Sequence, residues 1–439
     1  MDYTTLAIPS NEGKSLEPVA IASLYKALQQ LSDARRDQGK RYELALILCL
    51  LVLAKLAGET SLSGATEWIR HRAALLAEQF KLRRKTMPCQ MTYCNVLARV
   101  DAKHLDTILA AFFVRWEAQQ RCGTEPSRLH TPQGQADHAH LAIDGKTLRA
   151  TTSQPQSVHQ LSCYEVATGI VLWHCNVQEK ENEISALKPL LTPQLIKGHI
   201  FTLDAMHTQR LLCAQVHRFE GDYLLVAKDN QPTLHEDIAD LFEDRTPDRR
   251  RWQQAETWDK GHGRLEHRHI TCSPDLNDWF GKDWQGIEQV FRLERTARIL
   301  KTNHIRHEVV YGLSSLSMRQ APPARMLSLV RAHWAIENKL HYRRDGSLGE
   351  DACQTRTGPV PGLLAQLNST ALSLMDRLGV RNVARQMRSF DAHPEQAFAL
   401  VLTGSCFVYE NWKALILFAD FASTLEFCYI LFIDCEVFV

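Results

Sequence analysis

Several familiar sequence signals are missing from this chain of 439 residues. No apolar run reaches the ~20 residues that a membrane-spanning helix needs, because Glu43 and Lys55 bracket the most apolar stretch. The segment from Met1 to Lys14 has no basic start followed by an apolar core, so we expect no secretory signal and a cytoplasmic location. The 12 cysteines form no pair of CxxC motifs, which favours reduced, buried thiols over a zinc site.

Motifs of several enzyme classes are also absent. The run Asp144-Gly145-Lys146-Thr147 is similar to the end of a P-loop, but His140 stands where the first glycine would fall, which argues against nucleotide binding. The glycines of Gly261-His262-Gly263-Arg264 are too few for a dinucleotide site and indicate a hairpin turn. No G-x-S-x-G motif or Cys/His nucleophile signature occurs.

The chain has no excess of either charge, since 51 Lys and Arg balance 50 Asp and Glu. The net charge of +1 therefore neither favours nor excludes a nucleic-acid partner. Residues 405–439 differ from the rest, because this segment is acidic, aromatic-rich and free of proline. Its acids at Asp420, Glu426 and Asp434 break it into short apolar runs, which exclude a membrane anchor. We expect a hydrophobic packing element or an extension translated by read-through.

The composition is that of a globular protein, with 45% hydrophobic and 23% charged residues, and the length predicts two or three domains. Leucines at spacings of three and four over residues 20–120 predict a helical N-terminal domain at 1–122. A basic link at 81–85 between short helices is compatible with DNA-end binding there. A plain helical bundle with solvated charges is the alternative. A stretch rich in Gly, Pro, His and Gln predicts a linker at 123–140.

Strand and helix patterns alternate over residues 141–404. They predict an α/β core, in which a mixed sheet carries helices on its faces. A hairpin is predicted around Ala167-Thr168-Gly169. The stretch at about 231–320 is richer in strand-like segments, which predicts a mainly β insertion. A strong helix is predicted over about 323–342, after two prolines.

Two aspartates follow apolar strands of this predicted core. Asp144 comes after Leu141-Ala142-Ile143, and Asp204 comes after Phe201-Thr202-Leu203. Strands that end in this way place both carboxylates at the carboxyl edge of the sheet, where ligands of open α/β folds bind. Two such carboxylates on adjacent strands can share Mg²⁺, which prefers oxygen ligands. The alternative is that each Asp only caps a turn after its strand.

The third candidate carboxylate is Glu337, in the predicted helix. His333 and His341 lie four residues before and after it, so one helix face carries an acid between two hydrogen-bond donors. Such a face can place Glu337 on a metal while the flanking groups hold phosphate. A zinc helix built on the two histidines is disfavoured, because they are eight residues apart and not in HExxH spacing. Glu350 and Asp351 are the second choice for the third carboxylate.

Short motifs follow one another along the chain in a specific order. They are Ala142-Ile143-Asp144-Gly145-Lys146-Thr147-Leu148-Arg149, Glu181-Asn182-Glu183-Ile184, Leu203-Asp204-Ala205, Gly221-Asp222-Tyr223-Leu224-Leu225, Lys228-Asp229-Asn230-Gln231, His333-Trp334 and Ile336-Glu337-Asn338. Together they resemble bacterial insertion-sequence transposases of the DDE type, specifically the H-repeat-associated (ISAs-type) family. The resemblance extends over roughly residues 24–404.

This resemblance implies an RNase H-like catalytic core whose DDE triad falls on Asp144, Asp204 and Glu337. It implies that the triad holds two Mg²⁺ ions, for which Mn²⁺ can substitute, on either side of a displacement at phosphorus. The implied activity is that of an endonuclease that cleaves element ends and transfers the strand to target DNA. The implied partners are double-stranded DNA, as terminal inverted repeats and target sites, and a second copy of the chain in an active homodimer.

The resemblance also implies a set of residues that contact DNA phosphates. We expect the affinity for DNA to fall as the salt concentration rises. The candidates are Lys146, Lys228, Arg264, Arg268, His333, His341 and Arg344. Two features depart from the family pattern, namely the polar run Tyr342–Gly349 and the tail at 405–439. The tail keeps open a second interpretation, a catalytically inactive DNA-binding relic. A metal nuclease that cuts DNA without inverted repeats is a third.

Overall fold

The computed structural model describes residues 23–36, 40–121, 138–148, 158–177, 182–243, 249–261, 263–355 and 358–403. The predicted tail at 405–439 and most of the predicted linker at 123–140 lie outside these ranges. Among the helices of the described ranges, none is both long enough and apolar enough to cross a membrane.

The N-terminal part of the described chain is helical. Its helices are α1 Leu24–Leu28, α2 Leu44–Leu56, α3 Leu62–His71, α4 Ala73–Gln79, α5 Gln90–Leu97 and α6 Ala102–Arg121. α2 is apolar on all sides, and each of its residues is buried. Lys55 is buried with them, and its Nζ donates to the backbone oxygen of Thr60 at 2.9 Å, which compensates part of the cost of burying its charge.

A nine-stranded sheet follows these helices. Its strands are β1 Ala139–Leu148, β2 Val158–Glu165, β3 Ile170–Val177, β4 His199–Leu203, β5 Asp222–Ala227, β6 Gln253–Gly261, β7 Arg264–Ser273, β8 Gln289–Ile299 and β9 Ile305–Ser314. Their order in the sheet is β3-β2-β1-β4-β5-β9-β8-β7-β6. β1, β4 and β5 are parallel neighbours, and the other pairs are antiparallel. The predicted mixed α/β sheet is therefore confirmed.

The remaining helices connect the strands and follow the sheet. They are α7 Glu183–Leu187, α8 Pro193–Ile196, α9 Arg210–Arg218, α10 Pro232–Glu243, α11 Asn277–Phe280, α12 Pro323–Ala335, α13 Tyr342–Gly346, α14 Val360–Arg377, α15 Val383–Ala392 and α16 Pro394–Thr403. Short 3-10 turns cover Ala205–His207, Arg249–Arg251 and Glu350–Ala352. A π-helical turn, Ile336–His341, joins α12 to α13.

The strands of the predicted β insertion extend the central sheet. β9 pairs with β5 from Tyr311 to Ser314, and β8, β7 and β6 follow in turn. The first part of β9, from Ile305 to Val310, pairs with β8 alone among the described strands. The four strands described within residues 231–320 therefore belong to the same hydrogen-bonded sheet as β5.

Three hydrophobic clusters hold these layers together. The first joins the N-terminal helices to α14, α15 and α16 and to residues of β2 and β3. The second packs α7, α9, α10 and α11 against strands that include β1, β4 and β5. The third packs α12 against β5, β7 and β8. Helices thus cover both faces of the sheet near β1 and β4. The division between domains at residue 122 stays a prediction.

Candidate active site

Asp144 and Asp204 lie together because their strands run in parallel. The parallel register of β1 and β4 ends where Ile143 is opposite Leu203, and the two aspartates come next in sequence. β1 continues past Asp144 through antiparallel pairing with β2, so the expectation that a strand ends at Asp144 is wrong. Asp204 does end its strand and begins the turn Ala205–His207, where the first backbone N–H donates to its Oδ1 at 2.7 Å.

Glu337 lies in the π-helical turn Ile336–His341. Its Oε2 is 3.2 Å from Nδ1 of His341, and the same nitrogen is 3.4 Å from Oδ2 of Asp144. The side chain of Glu337 is 63% exposed, whereas that of His341 is buried. His341 therefore joins the two carboxylates from the protein side. Turns of this kind are frequent at functional sites, and the sequence pattern, which predicts a regular helix, gives no signal of it.

One cleft of about 290 Å³ is lined by all three predicted catalytic carboxylates. Asp144 reaches it from β1, Asp204 from the end of β4 and Glu337 from the π-helical turn. Apolar side chains of β5, β8, β9 and α12 form much of its wall. Its other polar and charged lining residues are Thr202, Lys228, Arg295, Glu308 and His333.

The charges of Asp144, Glu337 and His341 depend on one another. Burial lowers the pKa of His341, but its hydrogen bonds to the two carboxylates outweigh burial and raise the pKa above the usual histidine value. Burial raises the pKa of Asp144, and the hydrogen bond and charge of His341 reverse that shift to a net lowering. The hydrogen bond from His341 also lowers the pKa of Glu337. His341 thus favours the ionised form of both acids, and they favour its protonated form.

The donors present fit a hard divalent cation. One ligand atom each from Asp144, Glu337 and His341 lies within 4.8 Å of the others, the one such group among the described residues. Carboxylate oxygens are the ligands that Mg²⁺ prefers. Asp204 lines the same cleft but is not part of this group. His333 is not part of it either, which gives the disfavoured zinc helix no support.

His333 approaches the acids from α12. Its Nδ1 is 3.0 Å from Oγ1 of Thr202, and this hydroxyl is also 2.7 Å from Nε2 of His140. Thr202 and His140 are buried. Burial lowers the pKa of His333, although Asp144 and Asp204 oppose the shift. His333 is therefore a neutral side chain of the cleft that Thr202 holds in place.

Lys228 and Arg264 have the exposure that a phosphate contact needs. The side chain of Lys228 is 62% exposed, and its Nζ is 4.0 Å from Oδ1 of Asp204. Arg264 begins β7 and is about half exposed, with its Nε 2.9 Å from Oε1 of Glu266. His333 lines the cleft itself. These three of the predicted phosphate contacts remain accessible to a ligand.

Lys146 and Arg344 lie inside the protein. Lys146 is 8% exposed, and its Nζ is 2.6 Å from Oδ2 of Asp345 and 3.4 Å from Oδ1 of Asp351. Arg344 has no exposed side-chain surface, and its Nη2 is 2.8 Å from Oε1 of Glu350. Both cations already have anionic partners and lack a free surface, so the structure does not place them at a DNA-facing position.

Arg268 and His341, two further predicted phosphate contacts, are also buried. Arg268 pairs with Glu266 and, at 2.7 Å, with Oδ2 of Asp259. Glu350, the second choice for the third carboxylate, accepts from Arg344 and, at 2.9 Å, from Nδ2 of Asn368. Its oxygens are thus occupied by protein donors, and Glu337 is the acid that reaches the cleft.

A cluster centred on Glu183 lies beside the aspartates. Its Oε1 is 2.6 Å from Nε2 of His159, and its Oε2 is 3.0 Å from Nε2 of His207. His207 belongs to the turn that Asp204 begins. Gly145 leaves room for the cluster, since a Cβ there would be 2.5 Å from Nε2 of His159. Glu183 occurs in one of the family motifs, the single sequence signal that could have drawn attention to it.

Two family models match the chain. The model described as "Transposase DDE domain" matches residues 135–360, which include the three cleft carboxylates. The model described as "DDE_Tnp_1-associated" matches residues 25–113, within the N-terminal helices.

Individual proteins are similar to this chain over most of the two matched regions. "Putative transposase YncI" of Escherichia coli O157:H7 is 27% identical over 81% of this chain and 88% of its own length. "Putative protein YbfL" and "H repeat-associated putative transposase YhhI" of E. coli K12 are 31% and 30% identical, each over 60% of this chain and 71% of their own length. A solved piggyBac transposase synaptic complex with hairpin DNA aligns at 12% identity and a TM-score of 0.35, too low to establish a common fold. The chain therefore belongs to the DDE transposases, in the family that includes the H repeat-associated proteins.

Proposed function

We propose that this protein is an active transposase in which Asp144, Asp204 and Glu337 are the catalytic carboxylates. The reaction is hydrolysis of a phosphodiester at the end of an insertion sequence, followed by strand transfer to target DNA. The observation that carries this proposal is the convergence of the three acids on one cleft. The order β3-β2-β1-β4-β5, with β1, β4 and β5 parallel, supports an RNase H-like core.

The same residues are the proposed ligands of two Mg²⁺ ions, for which Mn²⁺ can substitute. Bound metal would supply charge stabilisation at the attacking and leaving oxygens of the phosphate. Asp144 and Glu337 are held by His341, and Asp204 is held by the backbone N–H of Ala205. These contacts orient the carboxylates before any ligand arrives, which lowers the cost of assembling the site.

The proposed substrate is double-stranded DNA, bound as terminal inverted repeats and target. Lys228 and Arg264 are exposed cations that would contact phosphate, and His333 would donate to it within the cleft. The N-terminal helices are proposed to bind the element end, and a homodimer to hold two ends together. Contacts of this kind make binding depend on salt.

Strand cleavage on a duplex that carries the element's own end tests this proposal. The variants Asp144→Asn, Asp204→Asn and Glu337→Gln each remove a charge with little change of shape. We expect each to lower Mg²⁺-dependent cleavage more than about 100-fold, a loss of about 2.7 kcal/mol of transition-state stabilisation. Glu308→Gln is the matched control, because Glu308 lines the same cleft and is 59% exposed. It should cleave at close to the wild-type rate.

Other outcomes would replace this proposal. If wild-type protein binds the end and does not cut it, while a chain stopped at Gly404 also fails to cut, the protein is a DNA-binding relic. Equal cleavage of duplexes with and without the inverted repeat would identify a general nuclease. Cleavage that survives Glu337→Gln but is lost in Glu308→Gln would move the third carboxylate from the π-helical turn to β9.

A further inference from the structure

A relay of three hydrogen-bonded side chains runs from the protein interior to the cleft, outside the carboxylate triad. His140 is on β1, Thr202 is on β4 and His333 is in the last turn of α12. The Thr202 hydroxyl is 2.7 Å from Nε2 of His140 and 3.0 Å from Nδ1 of His333. Thr202 and His140 are shielded from water, so no solvent competes for these contacts. The relay ties the two strands that carry Asp144 and Asp204 to the helix that leads to Glu337.

The chemistry of a hydroxyl restricts how this relay can be hydrogen-bonded. Thr202 has one hydroxyl hydrogen, which it can donate to one imidazole while its oxygen accepts from the other. In the first arrangement, His140 donates to Thr202, and Thr202 donates to Nδ1 of His333. Neutral His333 then carries its hydrogen on Nε2. In the second, His333 donates from Nδ1, and its Nε2 is left as a bare acceptor.

The charges around His333 favour the first arrangement. His333 lines the same cleft as Asp144 and Asp204, and their charges raise its pKa against the effect of burial. Anionic groups are stabilised by an N–H and not by a lone pair. Burial, with a contribution from His333, lowers the pKa of His140 to about 3, so His140 stays neutral and keeps a single ring hydrogen near pH 7. Nδ1 is the ring nitrogen of His333 that meets the Thr202 hydroxyl, and His333 lines the cleft. Nε2 is therefore the ring atom that we assign to a ligand of the cleft.

We propose that Thr202 and His140 are positioning residues that fix His333 as an Nε2–H donor aimed at a DNA phosphate in the cleft. The proposal rests on the proposed function, because the cleft must receive DNA. Neither Thr202 nor His140 would touch the reacting atoms. They act through the orientation and the tautomer of His333, which distinguishes them from residues that only fill space.

The tautomer of His333 can be measured on the free protein. Full-length protein with ¹⁵N-labelled histidine gives long-range proton–nitrogen correlations that separate the two neutral tautomers, and His333→Gln identifies the signal. We expect the Nε2–H form in wild type and in Thr202→Ser, which keeps the hydroxyl. Thr202→Val, of nearly equal shape, should shift His333 toward the other tautomer. A wild-type signal of the Nδ1–H form, or a Thr202→Val signal identical to wild type, would overturn the proposal.

Variants of His140, at the other end of the relay, give a second test. It does not require the Thr202→Val variant to fold. His140→Gln keeps an N–H at a similar reach and should leave the His333 signal unchanged. His140→Leu removes that donor and should change it. If both variants give the wild-type signal, His140 does not set the direction of the relay and the proposal fails.

Binding of an end-containing duplex in the absence of divalent metal gives the functional readout. Thr202→Val should weaken binding about threefold to tenfold, the range expected for one lost hydrogen bond, and Thr202→Ser should bind like wild type. If the tautomer changes without a change in affinity, the donor does not serve phosphate and the proposal fails. If wild type does not bind DNA at all, the proposed function fails, whereas the tautomer signals still report whether the relay directs His333.

Discussion

Two lysines near the cleft show how burial decides the role of a cation. Lys146 lies two residues after Asp144 and donates to Asp345 and Asp351, with 8% of its side chain exposed. Lys228 lies 4.0 Å from Asp204 with 62% exposed. The first charge stabilises contacts between β1 and the segment after Glu337. The second is free to meet a ligand, because an exposed ammonium loses little hydration in a phosphate contact.

Lys228→Ala and Lys146→Met should therefore have different effects. Lys228→Ala should weaken DNA binding and reduce the slope of log affinity against log salt by about 1, because one phosphate contact is lost. Lys146→Met should leave that slope unchanged and lower the free energy of unfolding by about 1–2 kcal/mol, because it leaves two partly buried acids unpaired. Fluorescence anisotropy over a salt series and urea unfolding give the two quantities.

Lys282→Ala is a suitable control for this pair, since Lys282 is exposed and lines a different cavity. It should change neither the salt slope nor the stability. An equal reduction of slope in Lys146→Met and Lys228→Ala would show that the ion pair of Lys146 opens when DNA binds and that Lys146 contacts phosphate.

At the scale of elements, the strands of the site were predictable and its helix geometry was not. Apolar runs that end in Asp144 and Asp204 identify neighbouring strands from sequence, and β1 and β4 are indeed parallel neighbours. Hydrophobic periodicity cannot reveal a π-helical turn, because Ile336 and Leu340 remain buried in either geometry. The burial of a charged residue such as Arg344 is also not visible in the sequence. It depends on an ion-pair partner that lies on another element, here Glu350.

Glu183 connects several elements around the site, and the sequence alone did not identify it as part of the site. It begins α7 and accepts from His207 in the turn after β4, and its Oε1 lies 2.6 Å from Nε2 of His159 on β2. The hydrogen bond from His207 is the largest cause of its lowered pKa, and the charge of His159 adds to it against the effect of burial. Ionised Glu183 thus holds together three segments around the two aspartates.

Glu183→Gln should make the stability of the protein less dependent on acid pH. A carboxyl whose pKa is lowered in the folded state contributes stability above its unfolded value, 4.5 here, and loses it as the pH falls through the folded value. We expect the variant to be about 1–2 kcal/mol less stable at pH 7. The difference from wild type should shrink progressively below pH 4.5. Urea unfolding at several pH values measures this.

Glu220→Gln provides the surface control for Glu183→Gln. Glu220 is largely exposed and pairs with the exposed Lys197 at 2.9 Å, an arrangement that contributes little to stability. Its variant should follow the wild-type curve at each pH. A Glu183→Gln difference that stays constant from pH 7 to pH 4 would show that Glu183 acts through packing and not through its charge.

At the scale of the whole molecule, the N-terminal helices and the central sheet share one buried network. Asp106 on α6 accepts from the backbone N–H of His174 at 2.9 Å and from Gln366 at 3.0 Å. The ring of His174, on β3, is 2.9 Å from Asp106 and 3.0 Å from Ser369 of α14. The order Ser, His, Asp is that of a hydrolase triad. All three residues are buried, so the network joins elements and cannot receive a substrate.

Because this network lies within the hydrophobic cluster that α2, α6 and α14 share, the helices and the sheet should unfold together. Calorimetry of the full-length protein should show one main transition for both. Asp106→Ala leaves buried donors of His174 and Gln366 without an acceptor and should lower the free energy of unfolding by about 3 kcal/mol. Ser369→Ala removes a single partner of His174 and should cost about 1 kcal/mol. Two separate transitions in wild type, with Asp106→Ala shifting only one, would show instead that the N-terminal helices fold as an independent domain, which is the division at residue 122 that the sequence predicts.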